Sequence, residues 1–165
     1  MKVENYIEKF NPCLESQDCL RQFNTTQEAW NACQRGDWML SMAGLLKIDK
    51  RLIVGAAGRC AATVKHLATD ERSLAALDAC EKFMRGEIGE AELGAAADAA
   101  RVARVAADAA RVARAAAAYA AAAYAAAAAA AAARAENRRQ TADICRELLT
   151  EAVFVALEAA ERGEG

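Results

Sequence analysis

The sequence feature that most constrains the fold is an alanine-rich segment, Ala95–Ala135, which contains neither glycine nor proline. Alanine loses no side-chain entropy when a helix forms, so little competes with helix over this segment. As one continuous helix the segment would span roughly 60 Å at about 1.5 Å per residue. A compact chain of this length has a radius of gyration of about 15 Å. We therefore expect the alanine-rich helix either to protrude or to fold back on itself.

The alanine-rich helix is expected to need a neighbouring helix. Its small side chains bury little apolar area, so it gains stability mainly where another backbone approaches closely. That backbone belongs to this chain or to a second copy, which makes a homodimer through the alanine-rich helix one expectation. A helical wheel also places a basic stripe beside a narrow valine and tyrosine seam. The stripe contains Arg104, Arg111 and Arg114.

Charge is distributed unevenly along the C-terminal half of the chain. Residues 95–139 hold seven arginines against three acidic residues, whereas residues 141–165 hold six acidic residues against two arginines. Opposite charges favour pairing between the two segments. We therefore expect a separate amphipathic C-terminal helix, with Ile144, Leu148, Phe154, Val155 and Leu157 on its apolar face, to cover the alanine-rich helix.

The rest of the sequence predicts short helices with recognisable ends. Thr25 and Glu28 have the spacing of a capping box, and Asp49 and Asp70 are predicted N-caps. Gly36 is predicted to end one helix in the left-handed conformation, so that Asp37 caps the next. No segment alternates with a period of two residues, so no strand is predicted. We expect an all-α single domain, with a bundle of short helices over residues 1–88 and the two longer helices over residues 89–165.

Two glycines lie inside a predicted helix rather than at its ends. Gly55 and Gly58 each lower helix propensity by about 1 kcal/mol relative to alanine. They are therefore predicted to permit a close helix crossing.

Composition limits the kinds of site that the chain can hold. The six cysteines form no C-x-x-C pair and no apolar leader follows Met1, so we expect buried free thiols in a cytoplasmic protein. With His66 as the single histidine, the cysteine spacing fits no common metal site. Ala115–Ala133 is long enough to span a bilayer but lacks leucine, isoleucine, valine and phenylalanine, so no membrane span is expected.

No residue pattern in the sequence points to catalysis. His66 is the one imidazole, and the adjacent residues offer no partner that would make it a base. Nucleotide-binding and metalloprotease motifs are absent from the sequence. We therefore expect a protein that is not an enzyme and uses no cofactor.

Two kinds of binding remain, and the sequence leaves both open. Tryptophan is enriched at interface hot spots, although it is more often a core residue in a small helical domain. Arginine matches phosphate geometry, so an arginine stripe can follow a nucleic acid, but a formal net charge of −2 gives no strong overall attraction. A protein partner is the first expectation and a nucleic acid the second. The candidate contact residues are Trp30, Arg35, Asp37, Trp38, Arg101, Arg104, Arg111 and Arg114.

The segment Gln27–Leu40, which reads QEAWNACQRGDWML, resembles a group of small all-α proteins of bacterial and phage origin that are described as immunity proteins. The likeness continues through Asp49–Arg51, Leu74–Leu77, Arg85–Glu87 and Thr141–Leu148. The resemblance implies an all-α inhibitor that acts by stoichiometric binding. Its target would be a toxin or, for a phage-encoded protein, a host defence effector such as a nuclease. The family supplies no catalytic residues.

Overall fold

The computed structural model describes residues 1–67, 70–102 and 123–164, and over these ranges the chain is all-α, as predicted. An isolated backbone bridge joins Lys2 and Thr25, and the described residues form no strand. The helices are α1 (Val3–Phe10), α2 (Leu14–Leu20), α3 (Thr26–Ala32), α4 (Gly36–Leu45), α5 (Lys50–Ala62), a 3₁₀ turn (Lys65–Leu67), α6 (Glu71–Met84), α7 (described over residues 90–102) and α8 (described over Ala123–Glu161).

Three of the predicted helix caps are confirmed. The Thr25 hydroxyl accepts a hydrogen bond from the Glu28 backbone amide at 3.2 Å, and the Glu28 carboxylate accepts one from the Thr25 amide at 3.2 Å. The Asp49 and Asp70 carboxylates each accept a bond from the backbone amide two residues later. These side chains satisfy amide groups that the first turn of a helix leaves without partners.

The prediction for Gly36 is wrong. Helix α3 ends earlier, at Ala32, and Gly36 is the first residue of α4 rather than a left-handed terminator. Asp37 lies within the first turn of α4, so it is not the N-cap either. A Cβ atom on Gly36 would lie 2.7 Å from the backbone carbon of Thr141. Glycine is therefore needed here because α8 passes close to the start of α4.

Helix α8 is the element around which the described fold is organised. It runs without a break from Ala123 to Glu161, so the predicted division into an alanine-rich helix and a separate C-terminal helix is wrong for this part of the chain. Because residues 123–139 and 141–161 share one helix, the second part cannot fold back to cover the first. Over residues 130–161, where side-chain burial is described, five residues have 0% exposure: Ala142, Cys145, Leu149, Val153 and Leu157.

The core forms where this buried stripe of α8 meets α4, α5 and α3. Trp30 and Met39 are each 1% exposed, and Ala43 and Ala56 are fully buried. The predicted apolar face of the C-terminal segment is only partly correct, since Leu157 is fully buried but Val155 is 61% exposed. Two small residues outside the predicted face, Ala142 and Cys145, are also fully buried, which lets α4 and α5 approach closely.

The predicted close crossing at Gly55 and Gly58 is confirmed. A Cβ atom on Gly58 would lie 2.7 Å from the Cβ of Cys80, and one on Gly55 would overlap the side chain of Met84. Both contacts join α5 to α6. The two glycines therefore permit the close crossing of α5 and α6 because they lack a side chain, and not because their backbone is flexible.

The described ends of the alanine-rich segment are largely exposed. Val102 is 59% exposed in α7, and residues 131–136 are exposed in α8. The acidic C-terminal part of α8 pairs elsewhere, because Glu147 forms an ion pair with Arg59 of α5 at 3.0 Å. Among the described residues, then, the expected covering of the alanine-rich helix by the acidic segment is not seen. Residues 103–122 lie outside the described part of the chain.

Candidate functional site

The junction between α3 and α4 carries three of the predicted contact residues side by side. The Arg35 Nε atom donates a hydrogen bond to Asp37 Oδ1 at 2.8 Å, and its Nη2 atom donates to Oδ2 at 2.6 Å. The guanidinium carbon lies 4.3 Å from the ring centroid of Trp38, within the range of a cation–π contact. We call this group of three side chains the Arg35–Trp38 surface.

Contacts with helix α8 fix the position of the Arg35–Trp38 surface. Arg146 donates a hydrogen bond to the Cys33 carbonyl at 2.6 Å, just beyond the end of α3. The same side chain is held by Asp143, one turn earlier, at 2.6 Å. Together with the close approach of Thr141 to Gly36, these contacts attach the α3–α4 junction to a rigid helix.

Within the Arg35–Trp38 surface, Arg35 and Asp37 each stabilise the ionised form of the other. The hydrogen bonds from Arg35 keep the pKa of the Asp37 carboxyl below its ordinary value. The same bonds, accepted by Asp37, raise the pKa of Arg35. The pair is nevertheless accessible, since the Asp37 side chain is 59% exposed and that of Arg35 is 27% exposed. A partner would meet donors, acceptors and an indole face that are already ordered.

An apolar cleft lies beside this surface, between the first four helices. Its volume is about 50 Å³, whereas pockets for drug-sized ligands occupy roughly 300–1,000 Å³. Its rim includes the exposed residues Cys13 and Ser41. We call it the α1–α4 cleft, and it is lined by Tyr6, Pro12, Cys13, Ser16, Cys19, Leu20, Ala29, Trp30, Cys33, Trp38, Met39, Ser41, Met42 and Leu45.

The size and lining of the α1–α4 cleft restrict what can enter it. The described lining residues include no charged side chain, so a charged group would lose its hydration without compensation. Its volume is a few times that needed for one water molecule. The cleft therefore suits the tip of one apolar side chain better than a whole metabolite. Trp38 lines this cleft and also stacks on Arg35, so the two features form one continuous site.

Trp30 is not available as a contact residue. Its side chain is 1% exposed, and its indole Nε1 atom donates a hydrogen bond to Thr150 of α8 at 2.9 Å. This buried, fully bonded position is that of a core residue which joins α3 to α8. The interface interpretation of Trp30 is therefore corrected to a core role, while Trp38 is only half-buried.

Tyr6 is a residue of this region that the sequence did not single out. It is 1% exposed on α1, lines the α1–α4 cleft, and its hydroxyl has no hydrogen-bond partner among the described residues. Burial raises the pKa of the Tyr6 phenol, so it stays a neutral donor. The signal that could have identified Tyr6 is the helical spacing that places it beside Phe10, whose ring centroid lies 5.0 Å away.

Of the four candidate arginines in the alanine-rich segment, Arg101 is the one that lies among the described residues. Arg101 forms an ion pair with Asp98 at 3.1 Å, the spacing expected on one helix face, and its side chain is 74% exposed. Arg104, Arg111 and Arg114 lie outside the described residues. The basic stripe therefore stays a prediction.

The thiols and His66 do not form a metal site in the described parts of the chain. All six cysteines are free thiols, as predicted, but only Cys60 and Cys145 are buried and Cys13 is exposed. His66 is exposed in the 3₁₀ turn. Over residues 1–67, 70–102 and 123–164, no cluster of three or more histidine, cysteine or acidic side chains has the arrangement of a metal site.

Comparison of the chain with protein-family models, with curated proteins and with solved structures finds no match. Within the described residues, each helix is either too short or too polar to cross a lipid bilayer.

Proposed function

We propose that the chain is a non-enzymatic inhibitor that binds one protein partner stoichiometrically, in the manner of an immunity protein or of a phage-encoded anti-defence protein. The observation that carries the proposal is the Arg35–Trp38 surface at the mouth of the α1–α4 cleft. The partner would be a toxin or a host defence effector. A nuclease is one such effector.

The chemistry of the site favours a folded protein as the partner. Trp38 offers a large, half-buried indole, and Arg35 holds it in one orientation by stacking. Ordering a side chain at an interface costs about 0.5–1.5 kcal/mol, and that cost is largely absent when the side chains are already fixed. An apolar side chain of the partner would fill the cleft, and its polar neighbours would meet Arg35 and Asp37. This arrangement resembles a hot spot surrounded by polar residues.

The segment that resembles immunity proteins coincides with this site. Gln27–Leu40 covers most of α3, the junction and the first half of α4. Within that segment Trp30 has a core role, whereas Arg35, Asp37 and Trp38 are accessible. The segment therefore combines a structural anchor with an accessible surface, which supports the inhibitor proposal.

Two further parts of the proposal concern assembly and location. The exposed alanines of residues 131–135 would allow a second copy to approach closely, so a homodimer through the alanine-rich helix is proposed, measurable by analytical ultracentrifugation. Six free thiols, including the exposed Cys13, are suited to a reducing compartment, and a cytoplasmic location is proposed on that basis.

The proposal is tested by retention of partner protein on the immobilised chain, from a nuclease-treated lysate of the cells that encode it. We expect the wild-type chain to retain one protein at a fixed ratio, and Trp38→Ala to weaken binding by about 2 kcal/mol or more. Arg72→Ala is the matched control, because Arg72 forms an equivalent two-point pair with Asp70 at the start of α6.

Two results would contradict the inhibitor proposal. One is that the wild-type chain retains no protein at any salt concentration. The other is that Arg72→Ala and Trp38→Ala lose the partner equally. If the wild-type chain instead shifts the mobility of DNA or RNA, and replacing Arg104, Arg111 and Arg114 by glutamate abolishes the shift, the nucleic-acid alternative replaces it.

A further inference from the structure

Two buried thiols meet between α5 and α8. The Sγ atoms of Cys60 and Cys145 lie 3.9 Å apart, although the residues are separated by 85 positions. Cys60 is 9% exposed and Cys145 is 0% exposed. No step of the proposed inhibitor function uses either thiol.

The contact between the two thiols is held in place by its surroundings. The Cys60 thiol reaches the Thr141 carbonyl at 3.5 Å, and the Cys145 thiol reaches the Gly36 carbonyl at 3.6 Å. Near Cys60, Gly58 brings α5 close to α6, and Gly36 brings α4 close to α8. Helices α5 and α8, which carry the two thiols, also pack directly against each other and are linked by the Arg59–Glu147 ion pair at 3.0 Å.

We propose that Cys60 and Cys145 are an oxidation site that forms a reversible disulfide when the chain meets hydrogen peroxide. In the first step the Cys60 thiolate attacks one peroxide oxygen, the O–O bond breaks, and Cys60 becomes a sulfenic acid while hydroxide leaves and is protonated to water. In the second step the Cys145 sulfur attacks the Cys60 sulfur, a second water leaves, and the disulfide forms. Two thiols and one hydrogen peroxide thus give one disulfide and two waters.

The assignment of Cys60 as the attacking thiol follows from its surroundings. Cys60 is the less buried of the two, so a small oxidant reaches it first. The Cys145 thiol lowers the pKa of Cys60 by donating a hydrogen bond to its thiolate, and Arg59 adds a smaller effect in the same direction. The same contact raises the pKa of Cys145, which keeps it protonated until the sulfenic acid forms.

The geometry requires only a small rearrangement. The two sulfur atoms must approach from 3.9 Å to a bond length of about 2.05 Å. The resulting cross-link would connect the core stripe of α8 to α5. It would close a loop that includes α6, α7 and the alanine-rich segment, and loss of freedom in so long a loop destabilises the unfolded chain relative to the folded one.

The test is treatment of the folded wild-type chain with hydrogen peroxide, followed by peptide mapping under non-reducing conditions. We expect a Cys60 peptide linked to a Cys145 peptide, a higher urea midpoint of unfolding, and recovery of both thiols with dithiothreitol. The exposed Cys13 in the same sample reports whether the peroxide dose was sufficient.

The control is Cys145→Ser, which removes the resolving thiol and keeps the size of the side chain. In this variant Cys60 should stop at the sulfenic acid and the urea midpoint should not rise. Two results would overturn the proposal: the pair stays reduced at a dose that oxidises Cys13, or the link appears only after the chain is unfolded in urea. Linked peptides identify the disulfide directly, so the wild-type result tests the proposal even if Cys145→Ser does not fold.

Discussion

At the scale of single residues, the glycines at helix crossings have the most specific roles. Gly36 would place a Cβ atom 2.7 Å from the Thr141 backbone, whereas Gly44 in the same helix has no described atom within 4 Å of that position. A steric contact with backbone cannot be relieved by a side-chain rotation. Replacement by alanine should therefore have opposite effects on the free energy of unfolding at the two positions.

We expect Gly36→Ala to lower the free energy of unfolding by about 1–3 kcal/mol, because α4 and α8 must separate. Gly44→Ala should raise it by about 0.5–1 kcal/mol, because alanine favours helix over the unfolded chain. Urea denaturation followed by circular dichroism measures both values. Equal effects of the two substitutions would show that α8 does not pass close to Gly36.

The two tryptophans should also differ sharply in their effect on stability. Trp30 is buried and bonded to Thr150, so Trp30→Ala should cost about 3–5 kcal/mol through lost burial and a cavity. Trp38→Ala removes a half-buried ring that stacks on Arg35 at the surface, and should cost clearly less. Thermal unfolding of the two variants measures the difference. The reverse order of stabilities would contradict the assignment of Trp30 to the core.

Local residue patterns predicted local contacts well and distant contacts poorly. The capping pair Thr25 and Glu28 and the cap at Asp49 depend on neighbours within three residues, and all are confirmed. Gly36 also occurs in a pattern typical of a helix terminator. Its role depends on Thr141, more than a hundred residues later, and no local pattern contains that information.

At the scale of elements, α8 is one helix whose described residues change from exposed to partly buried along its length. Its residues 131–136 are exposed, yet the stripe that begins at Ala142 is fully buried. Alanine composition correctly predicted helix but gave no indication of which alanines are buried. Val155 was included in the predicted face because it is strongly apolar, yet it is exposed. The fully buried residues Ala142 and Cys145 were not included, because small residues occur on buried and exposed faces alike.

Two alanines of α8, ten positions apart, provide a direct test of this division. We expect Ala142→Leu to lower the free energy of unfolding by about 1–3 kcal/mol, because the added atoms have no space in the core. Ala132→Leu should change it by less than about 0.5 kcal/mol at a protein concentration at which the chain is monomeric, since leucine is a good helix former on an exposed surface. Urea unfolding measures both. A large loss for Ala132→Leu would indicate that this part of α8 is packed against another helix.

At the scale of the whole molecule, the long helix α8 packs against the shorter helices and holds the Arg35–Trp38 surface in a solvent-accessible position. Arg146 and Thr141 attach the α3–α4 junction to α8, and the Arg35–Trp38 surface lies on that junction. The sequence identified Arg35, Asp37 and Trp38 as candidates, but it could not separate Trp38 from Trp30. Both lie in the same motif, and only the contact with Thr150 distinguishes the core residue from the accessible one.

The central functional claim is that a protein partner binds over the α1–α4 cleft. Its most direct test is a photo-reactive amino acid at Ser41, an exposed residue on the rim that leaves Trp38 intact, with the same group at the exposed Leu52 as the control. Irradiation in the lysate of the cells that encode the chain should give a one-to-one protein adduct from position 41, absent from position 52 and lost when Trp38→Ala is added. A folded chain that gives no adduct at position 41, or equal adducts at both positions, would contradict the claim.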